Sequence, residues 1–143
     1  ILDDVNVSLH AMLGKVEDVK ILANINCNHQ FKTDKTRLTM VLSNLISNAV
    51  RYRRIGCEPS FVKIDIKTNE DGADILVEDN GIGIKEDVQG KVFDMFYRGS
   101  DASVGSGLGL YIVKEALDKL NASIKLTSVV GKGTKFAIHL PTL

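Results

Sequence analysis

The sequence predicts an α+β fold, a two-layer α/β sandwich in which a mixed, mostly antiparallel sheet carries about three helices on one face. Two observations predict it. Segments with apolar residues at three- and four-residue spacing, typical of amphipathic helices, are interspersed with short apolar runs of strand length. Most of the strand-like runs occur in adjacent pairs separated by turn residues, which favours a sheet built largely from hairpins.

The first part of the chain contains two helical patterns and one strand. Apolar spacing predicts a helix over 2–17, and the run 19–26 has the length of a strand. The strongest helical pattern covers 34–52, with Thr33 or Asp34 as its N-cap. The expected buried stripe of this helix is Leu38, Val41, Leu42, Leu45 and Ala49.

A loop over 53–60, containing a glycine and a proline, separates that helix from a pair of strands predicted over 61–67 and 74–79. Helical spacing resumes over 107–120, with Leu110, Val113, Ala116, Leu117 and Leu120 as the expected buried stripe. The last pair of strands is predicted over 122–130 and 134–140, joined by a Gly-Lys-Gly turn.

Size and composition limit the function classes. A length of 143 residues fits a single domain over 1–143, and the hydrophobic (44%) and charged (25%) fractions are those of a globular chain. Eighteen Lys and Arg balance eighteen Asp and Glu, which disfavours nucleic-acid binding and direct membrane contact. Cys27 and Cys57 lack C-x-x-C spacing, so we expect reduced thiols in a cytoplasmic protein. The first residue is Ile, and we expect a piece of a larger protein.

The first candidate binding motif is Asp79–Ile84 (DNGIGI), directly after a predicted strand. A carboxylate at a strand end can accept hydrogen bonds from a ligand amine, and Gly81 and Gly83 would let a flat ring approach the backbone. An ordinary Asn-Gly turn would explain the same residues equally well.

The second motif is Gly105–Leu110 (GSGLGL), at the start of a predicted helix. Successive glycine amides at a helix N-terminus form a concave site for anionic oxygens. The spacing is G-x-G-x-G and no strand directly precedes it, so a dinucleotide-binding fingerprint is excluded. Residues 131–134 lack the upstream glycine of a Walker-type P-loop. An ordinary glycine-rich loop is the alternative.

The third motif places Asn44, Asn48 and Arg51 on one face of the long helix. Neutral amide oxygens suit a hard cation whose charge phosphates already balance. Solvated surface asparagines would give the same pattern.

The fourth motif lies within 85–106. Phe93 and Phe96, three residues apart, resemble anchors that pin one end of a flap, and Arg98 would be free to reach a phosphate. Core aromatic residues of a short helix are the alternative.

Taken together, the motifs resemble the ATP-binding catalytic domain of histidine protein kinases. This domain belongs to a superfamily shared with type II topoisomerase ATPases, a heat-shock chaperone and mismatch-repair proteins, and its fold is the Bergerat type. The matches are N-L-x-x-N-A-x-[KR]-Y at Asn44–Tyr52, D-x-G-x-G at Asp79–Gly83, the F box at Phe93–Arg98, G-x-G-L-G-L at Gly105–Leu110 and G-x-G-T at Gly131–Thr134. They stand in the family order, and the resemblance runs from about residue 5 to 142.

The resemblance implies that ATP and Mg²⁺ bind here. Asp79 would accept the adenine amino group, directly and through a water shared with Thr134, and Tyr52 would line the pocket. Residues 85–106 would be the ATP lid. The full set of implied ATP-binding positions is Asn44, Asn48, Arg51, Tyr52, Asp79, Gly81, Gly83, Ile84, Phe93, Phe96, Arg98, Gly105, Gly107, Leu108, Gly109, Leu110 and Thr134.

The resemblance also implies the roles at the phosphate end. Asn48 would be the metal ligand, and Asn44, Arg51 and Arg98 would be the catalytic residues. ATP-hydrolysing relatives, and the protein-serine kinases of the superfamily, carry a Glu four residues before the metal-binding Asn. That position is Asn44 here, which cannot act as a general base. Transfer of the γ-phosphate to a protein is therefore expected rather than hydrolysis.

The phosphate acceptor of the family is a histidine followed by Glu or Asp on a preceding dimerisation helix. None of His10, His29 and His139 fits that pattern. The expected function is to bind ATP–Mg²⁺ and phosphorylate a histidine on a separate dimerisation domain of a homodimeric sensor kinase, which serves a response regulator in two-component signalling. Residues 1–17 would partly connect to that domain. The alternative is a degenerate nucleotide-binding interaction module without transfer activity.

One loop departs from the family pattern. Arg53 and Arg54 follow the long helix directly, and their charge would either extend the phosphate-facing surface or be solvated. We expect solvated side chains.

Overall fold

The computed structural model describes residues 19–56, 59–95 and 108–143, which form a five-stranded sheet and two α-helices. In chain order the elements are β1 (Val19–Asn26), α1 (Lys35–Arg51), β2 (Ser60–Asn69), β3 (Gly72–Asp79), a 3₁₀ helix (Glu86–Lys91), α2 (Gly109–Lys119), β4 (Ser123–Val129) and β5 (Gly133–Pro141). The helix predicted over 2–17 lies outside the described residues. Within the described residues, no helix is both long and apolar enough to cross a membrane.

The sheet has the strand order β1-β2-β3-β5-β4. β1 runs parallel to β2, and the remaining neighbours are antiparallel. The predicted α+β class, with a mixed and mostly antiparallel sheet, is confirmed. In the β3–β5 pair, Asp79 lies opposite Thr134, so the last residue of β3 is beside the start of β5.

The helices cover one face of the sheet, and the core lies between the two layers. Alternate residues of β2, from Val62 to Ile66, are buried, while the residues between them are more exposed. The predicted apolar stripe of α1 is buried in full, and Ile46 is buried in addition. In α2, Leu110 is half-buried and packs against the core, and the rest of the predicted stripe is buried.

Helix α1 begins where Asp34 caps it. The Asp34 Oδ1 atom accepts a hydrogen bond from the Arg37 backbone N–H at 3.1 Å. This backbone hydrogen bond, together with the Arg37 guanidinium, holds the pKa of the Asp34 carboxyl below its ordinary value. At the other end, the Tyr52 N–H donates to the Asn48 carbonyl at 3.0 Å. Asp34 is therefore the N-cap, and α1 ends in the segment that leads to the candidate site.

The strands β2 and β3 are longer than the sequence pattern predicted. The reason is the side chain of Asn69, whose Oδ1 atom accepts hydrogen bonds from the N–H groups of Asp71 and Gly72 at 2.9 and 3.0 Å. These bonds close the turn within two residues, so the paired strands continue to Asn69 and begin again at Gly72.

Candidate functional site

Three segments meet at the end of β3: the C-terminal end of α1 with the residues that follow it, the loop after β3, and the β4–β5 turn. The Ile82 N–H donates to the Tyr52 carbonyl at 3.0 Å, and the Gly131 N–H donates to the Ile82 carbonyl at 2.9 Å. The DxGxG motif is therefore held between the helix and the turn by its own backbone.

Asp79 is the acidic group at this junction. Its Oδ1 atom accepts a hydrogen bond from the Gly81 N–H at 2.8 Å, and the backbone N–H of Thr134 also donates to the carboxylate. Burial raises the pKa of the Asp79 carboxyl above its ordinary value, and these two hydrogen bonds offset only part of that effect. A partly desolvated carboxylate has lost water that a ligand amino group can replace.

Both glycines of the motif are required by the fold as well as by any ligand. A Cβ atom on Gly81 would lie 2.6 Å from the Tyr52 carbonyl oxygen and 2.8 Å from Oδ1 of Asp79. Gly83 has a φ of +77°, and a Cβ atom there would lie 2.3 Å from the Val129 carbonyl oxygen. Their first effect is thus to let the loop pack against α1 and β4.

The hydroxyl groups of Ser128 and Thr134 lie beside the same loop. The Ser128 Oγ atom accepts a hydrogen bond from the Ile84 N–H at 2.8 Å and lies 2.9 Å from both the Gly133 carbonyl oxygen and the Thr134 Oγ1 atom. Sequence reasoning missed Ser128. The available signal was its place as the polar member of an otherwise apolar alternate row in β4, on the helix-covered face.

The predicted phosphate end lies further back along α1. Asn44 and Asn48 are half-buried on this helix, and Arg51 is exposed. The Asn44 Nδ2 atom donates to the Met40 carbonyl at 2.7 Å, and Asn44 Oδ1 lies 3.5 Å from the place that a Cβ atom on Gly109 would occupy. An amide oxygen of α1 therefore stands beside the N-terminal end of α2. Leu108 is half-buried at that same end.

Only the first part of the predicted lid is among the described residues. The Gln89 Nε2 atom donates to the carbonyls of Ile84 and Ser128 at 2.9 and 3.2 Å, which ties the 3₁₀ helix to β4. The Phe93 ring packs edge-on against Phe136, with 6.3 Å between the ring centroids. Phe93 thus contacts the core of the domain. The predicted residues Phe96, Arg98, Gly105 and Gly107 lie outside the described residues.

The described site residues form two groups that meet α1 at different points along its length. Tyr52, Asp79, Gly81, Gly83, Ile84 and Thr134 lie around the end of β3. Asn44 and Gly109 form the second group. At a rise of 1.5 Å per residue, Asn44 lies about 12 Å along the α1 axis from Tyr52 in the first group. A depression of about 640 Å³ on the face of the sheet opposite α1 and α2 is lined by none of the predicted site residues.

The expectation that Arg53 and Arg54 are solvated is wrong. The Arg54 Nε atom donates to the Asn80 carbonyl at 2.9 Å, and its Nη1 atom donates to the Gly131 carbonyl at 2.8 Å. Arg53 Nη1 donates to the Val50 carbonyl at 2.7 Å. The chain after α1 turns back against the loop and the β4–β5 turn, which brings the Asn80 and Gly131 carbonyls to the Arg54 guanidinium, whereas Arg53 reaches back to a carbonyl of α1 itself.

A helix-covered mixed sheet with a half-buried strand-end carboxylate, a glycine loop and an asparagine-bearing helix defines a class of domain. It is the class shared by histidine kinases, gyrase B and HSP90-like ATPases. Residues 33–143 match the family described as "Histidine kinase-, DNA gyrase B-, and HSP90-like ATPase", and the chain belongs to this family. The resemblance to a histidine kinase catalytic domain, predicted from the motifs, is confirmed.

Similar proteins agree with this assignment. The chain is 36% identical over 141 residues to the sensor-like histidine kinase SenX3 of Mycobacterium tuberculosis, covering 96% of this chain and 34% of SenX3. It therefore spans about a third of the length of that relative. The solved structure of the mycobacterial sensor histidine kinase MprB has a TM-score of 0.81 at 24% identity, covering 99% of this chain and 93% of that one.

A second solved structure, full-length ShkA in complex with AMPPNP, has a TM-score of 0.81 at 22% identity. It covers 96% of this chain and 29% of ShkA. At these identities, the two structures show that the fold is shared.

Replacing Asp79 by Asn tests the cost of burying the carboxylate. Because the folded-state pKa of Asp79 is raised, the ionised group destabilises the fold at neutral pH, and this cost disappears as the pH falls through that pKa. We expect Asp79→Asn to equal or exceed the wild type in free energy of unfolding at pH 7, because Asn retains an oxygen for the Gly81 N–H. The advantage should shrink on acidification.

Urea denaturation at pH 7 and at successively lower pH measures this difference. Asp71→Asn, at an exposed turn position, is the matched control and should show no such trend. A variant at Asp79 that is less stable at pH 7, and that gains on the wild type as the pH falls, would contradict the assigned burial cost.

Proposed function

We propose that this chain is the ATP–Mg²⁺-binding catalytic domain of a sensor histidine kinase, which donates the γ-phosphate to a histidine on a separate dimerisation domain. The proposal rests on the half-buried Asp79 carboxylate between β3 and the β4–β5 hairpin, with its adjoining glycines. Family membership and the 36% identity to SenX3 support it. The AMPPNP complex of the similarly folded ShkA supports ATP as the nucleotide.

The adenine amino group is assigned to Asp79. An exocyclic amine donates hydrogen bonds and a carboxylate accepts them, so the ionised form of Asp79 is the binding form. The Gly81 and Thr134 N–H groups already occupy part of the carboxylate and hold its orientation. We assign the Thr134 hydroxyl, whose Oγ1 atom lies 2.9 Å from the Ser128 Oγ atom, to share a water with Asp79 and the base. Tyr52 lies beside this pocket, because its carbonyl accepts a hydrogen bond from the Ile82 N–H of the glycine loop.

The phosphate end is assigned to the asparagine face of α1 and to the N-terminal end of α2. The residues present fit Mg²⁺, because Asn48 offers a neutral amide oxygen and the adjacent Asn44 oxygen faces the start of α2. When bound, Mg²⁺ neutralises charge on the β- and γ-phosphates. Arg51 is exposed next to this face and adds positive charge. Arg98 and the glycines before α2 complete the proposal from the sequence motifs.

The reaction proposed is transfer to protein rather than hydrolysis. The Asn44 amide donates through Nδ2 to the Met40 carbonyl and has no group that can deprotonate water. Phosphoryl transfer depends mainly on positioning and charge neutralisation, so a site without its own nucleophile is sufficient. The partners proposed are the dimerisation domain that carries the acceptor histidine, in a homodimeric kinase, and a response regulator.

Asn48→Ala should weaken Mg²⁺-dependent ATP binding, because it removes the amide oxygen assigned to the metal. We expect Kd to rise at least about tenfold, the equivalent of about 1.4 kcal/mol. Asn48→Asp should also weaken binding, since it adds negative charge facing the triphosphate. Titration calorimetry with ATP, with and without Mg²⁺, measures both effects.

Ser47→Ala, at the exposed neighbouring position, serves as the control and should bind as the wild type does. All three variants should keep the wild-type stability within about 0.5 kcal/mol, because none removes core packing. Unchanged Mg²⁺-dependent binding in Asn48→Ala would remove Asn48 from the metal site.

Phosphate transfer can be tested with two separate polypeptides. This chain, incubated with radiolabelled ATP and Mg²⁺, should not label itself, because its histidines lack the acceptor pattern. Adding the dimerisation domain of the longer protein should give acid-labile phosphohistidine on that domain. ATP binding without any transfer would instead support an interaction module, and label on this chain alone would contradict the assignment of the acceptor.

A further inference from the structure

Arg54 makes a bridge between two segments that are far apart in the chain. Its Nε atom donates to the Asn80 carbonyl at 2.9 Å and its Nη1 atom donates to the Gly131 carbonyl at 2.8 Å. The side chain is half-buried, and the Arg54 carbonyl itself accepts a hydrogen bond from the Ser60 hydroxyl. The backbone and the guanidinium of Arg54 are therefore both held in place.

Each of the two bridged carbonyls belongs to a segment that forms the part of the site around Asp79, which is assigned to the adenine base and is called the base end. Asn80 directly follows Asp79, and Gly131 lies in the turn that leads to Thr134. The side chain of Asn80 is also held, because its Oδ1 atom accepts from the Phe61 N–H at 2.9 Å. The direction of the Asp79 carboxylate thus depends on a backbone that Arg54 fixes on one side and β2 on the other.

We propose that Arg54 is a positioning residue that sets the affinity and base preference of the nucleotide site, acting through the Asn80 and Gly131 carbonyls. The proposal rests on the function proposed above. A guanidinium suits this task because its planar fork offers several donors in fixed directions, whereas an ammonium group is a single point donor. Arg54 lies at the base end of the site, so the asparagine face of α1 keeps its own geometry without it.

The test compares Arg54→Lys, Arg54→Gln and Arg54→Ala with the wild-type chain. Calorimetry with ATP–Mg²⁺ should give a Kd about tenfold higher for Arg54→Ala, with Arg54→Lys intermediate. The preference for ATP over inosine triphosphate, which carries a carbonyl in place of the amino group, should fall. In the two-polypeptide transfer assay, KM for ATP should rise while kcat stays near the wild-type value.

Lys132→Ala is the charge-matched control, because Lys132 is an exposed lysine of the same turn. It should leave Kd and base preference unchanged. If Arg54 serves stability alone, its variants would show a smaller active fraction with the wild-type Kd, KM and base preference. That result would overturn the proposal.

Amide hydrogen exchange gives a readout that needs no nucleotide. The N–H groups of Ile82 and Gly131 should exchange faster in Arg54→Ala than in the wild type, because the loop and the turn lose their common donor. Unchanged exchange would overturn the bridge even if ATP binds. If exchange is faster in Arg54→Ala but the wild-type chain binds no ATP, the bridge stands, and both the nucleotide role and the proposed function are overturned.

Discussion

The Asp79 carboxylate lies where β3 ends beside β5, and burial raises its pKa although the N–H groups of Gly81 and Thr134 donate to it. The partial burial of this carboxylate is unfavourable. The backbone packs so closely around it that a side chain in place of Gly81 would push that backbone away. A Cβ atom on Gly81 would meet both the Tyr52 carbonyl and the carboxylate itself. The carboxylate, the glycine loop and the end of α1 therefore pack directly against one another, and a change in any of them alters the pocket.

Helix α1 connects the two ends of the candidate site. Its buried stripe fixes it against the sheet. At its C-terminal end the Tyr52 carbonyl accepts a hydrogen bond from the Ile82 N–H, and its asparagine face lies beside the start of α2. The distance between the base end and the phosphate end is therefore set by a rigid element rather than by loops. Arg54, just after this helix, extends the same rigid frame to the β4–β5 turn.

Much of the fold could be predicted because α1, α2, β2, β3 and β5 each bury one face. The stripe of α1 and the β1 strand follow directly from apolar spacing, and the motif order identified the family. The contacts of Arg54 could not be predicted, because its acceptors are carbonyls 26 and 77 residues away and carbonyls leave no trace in sequence. Strand lengths at the β2–β3 turn depended on the Asn69 side chain, which apolar periodicity does not report.

The proposed function depends on recognition of the adenine amino group by Asp79. Its most direct test is titration of the wild-type chain with ATP–Mg²⁺ and with inosine triphosphate–Mg²⁺ under identical conditions. We expect saturable binding of ATP and at least about tenfold weaker binding of inosine triphosphate, because a carbonyl facing the carboxylate cannot donate a hydrogen bond. Equal affinity for the two nucleotides would contradict it.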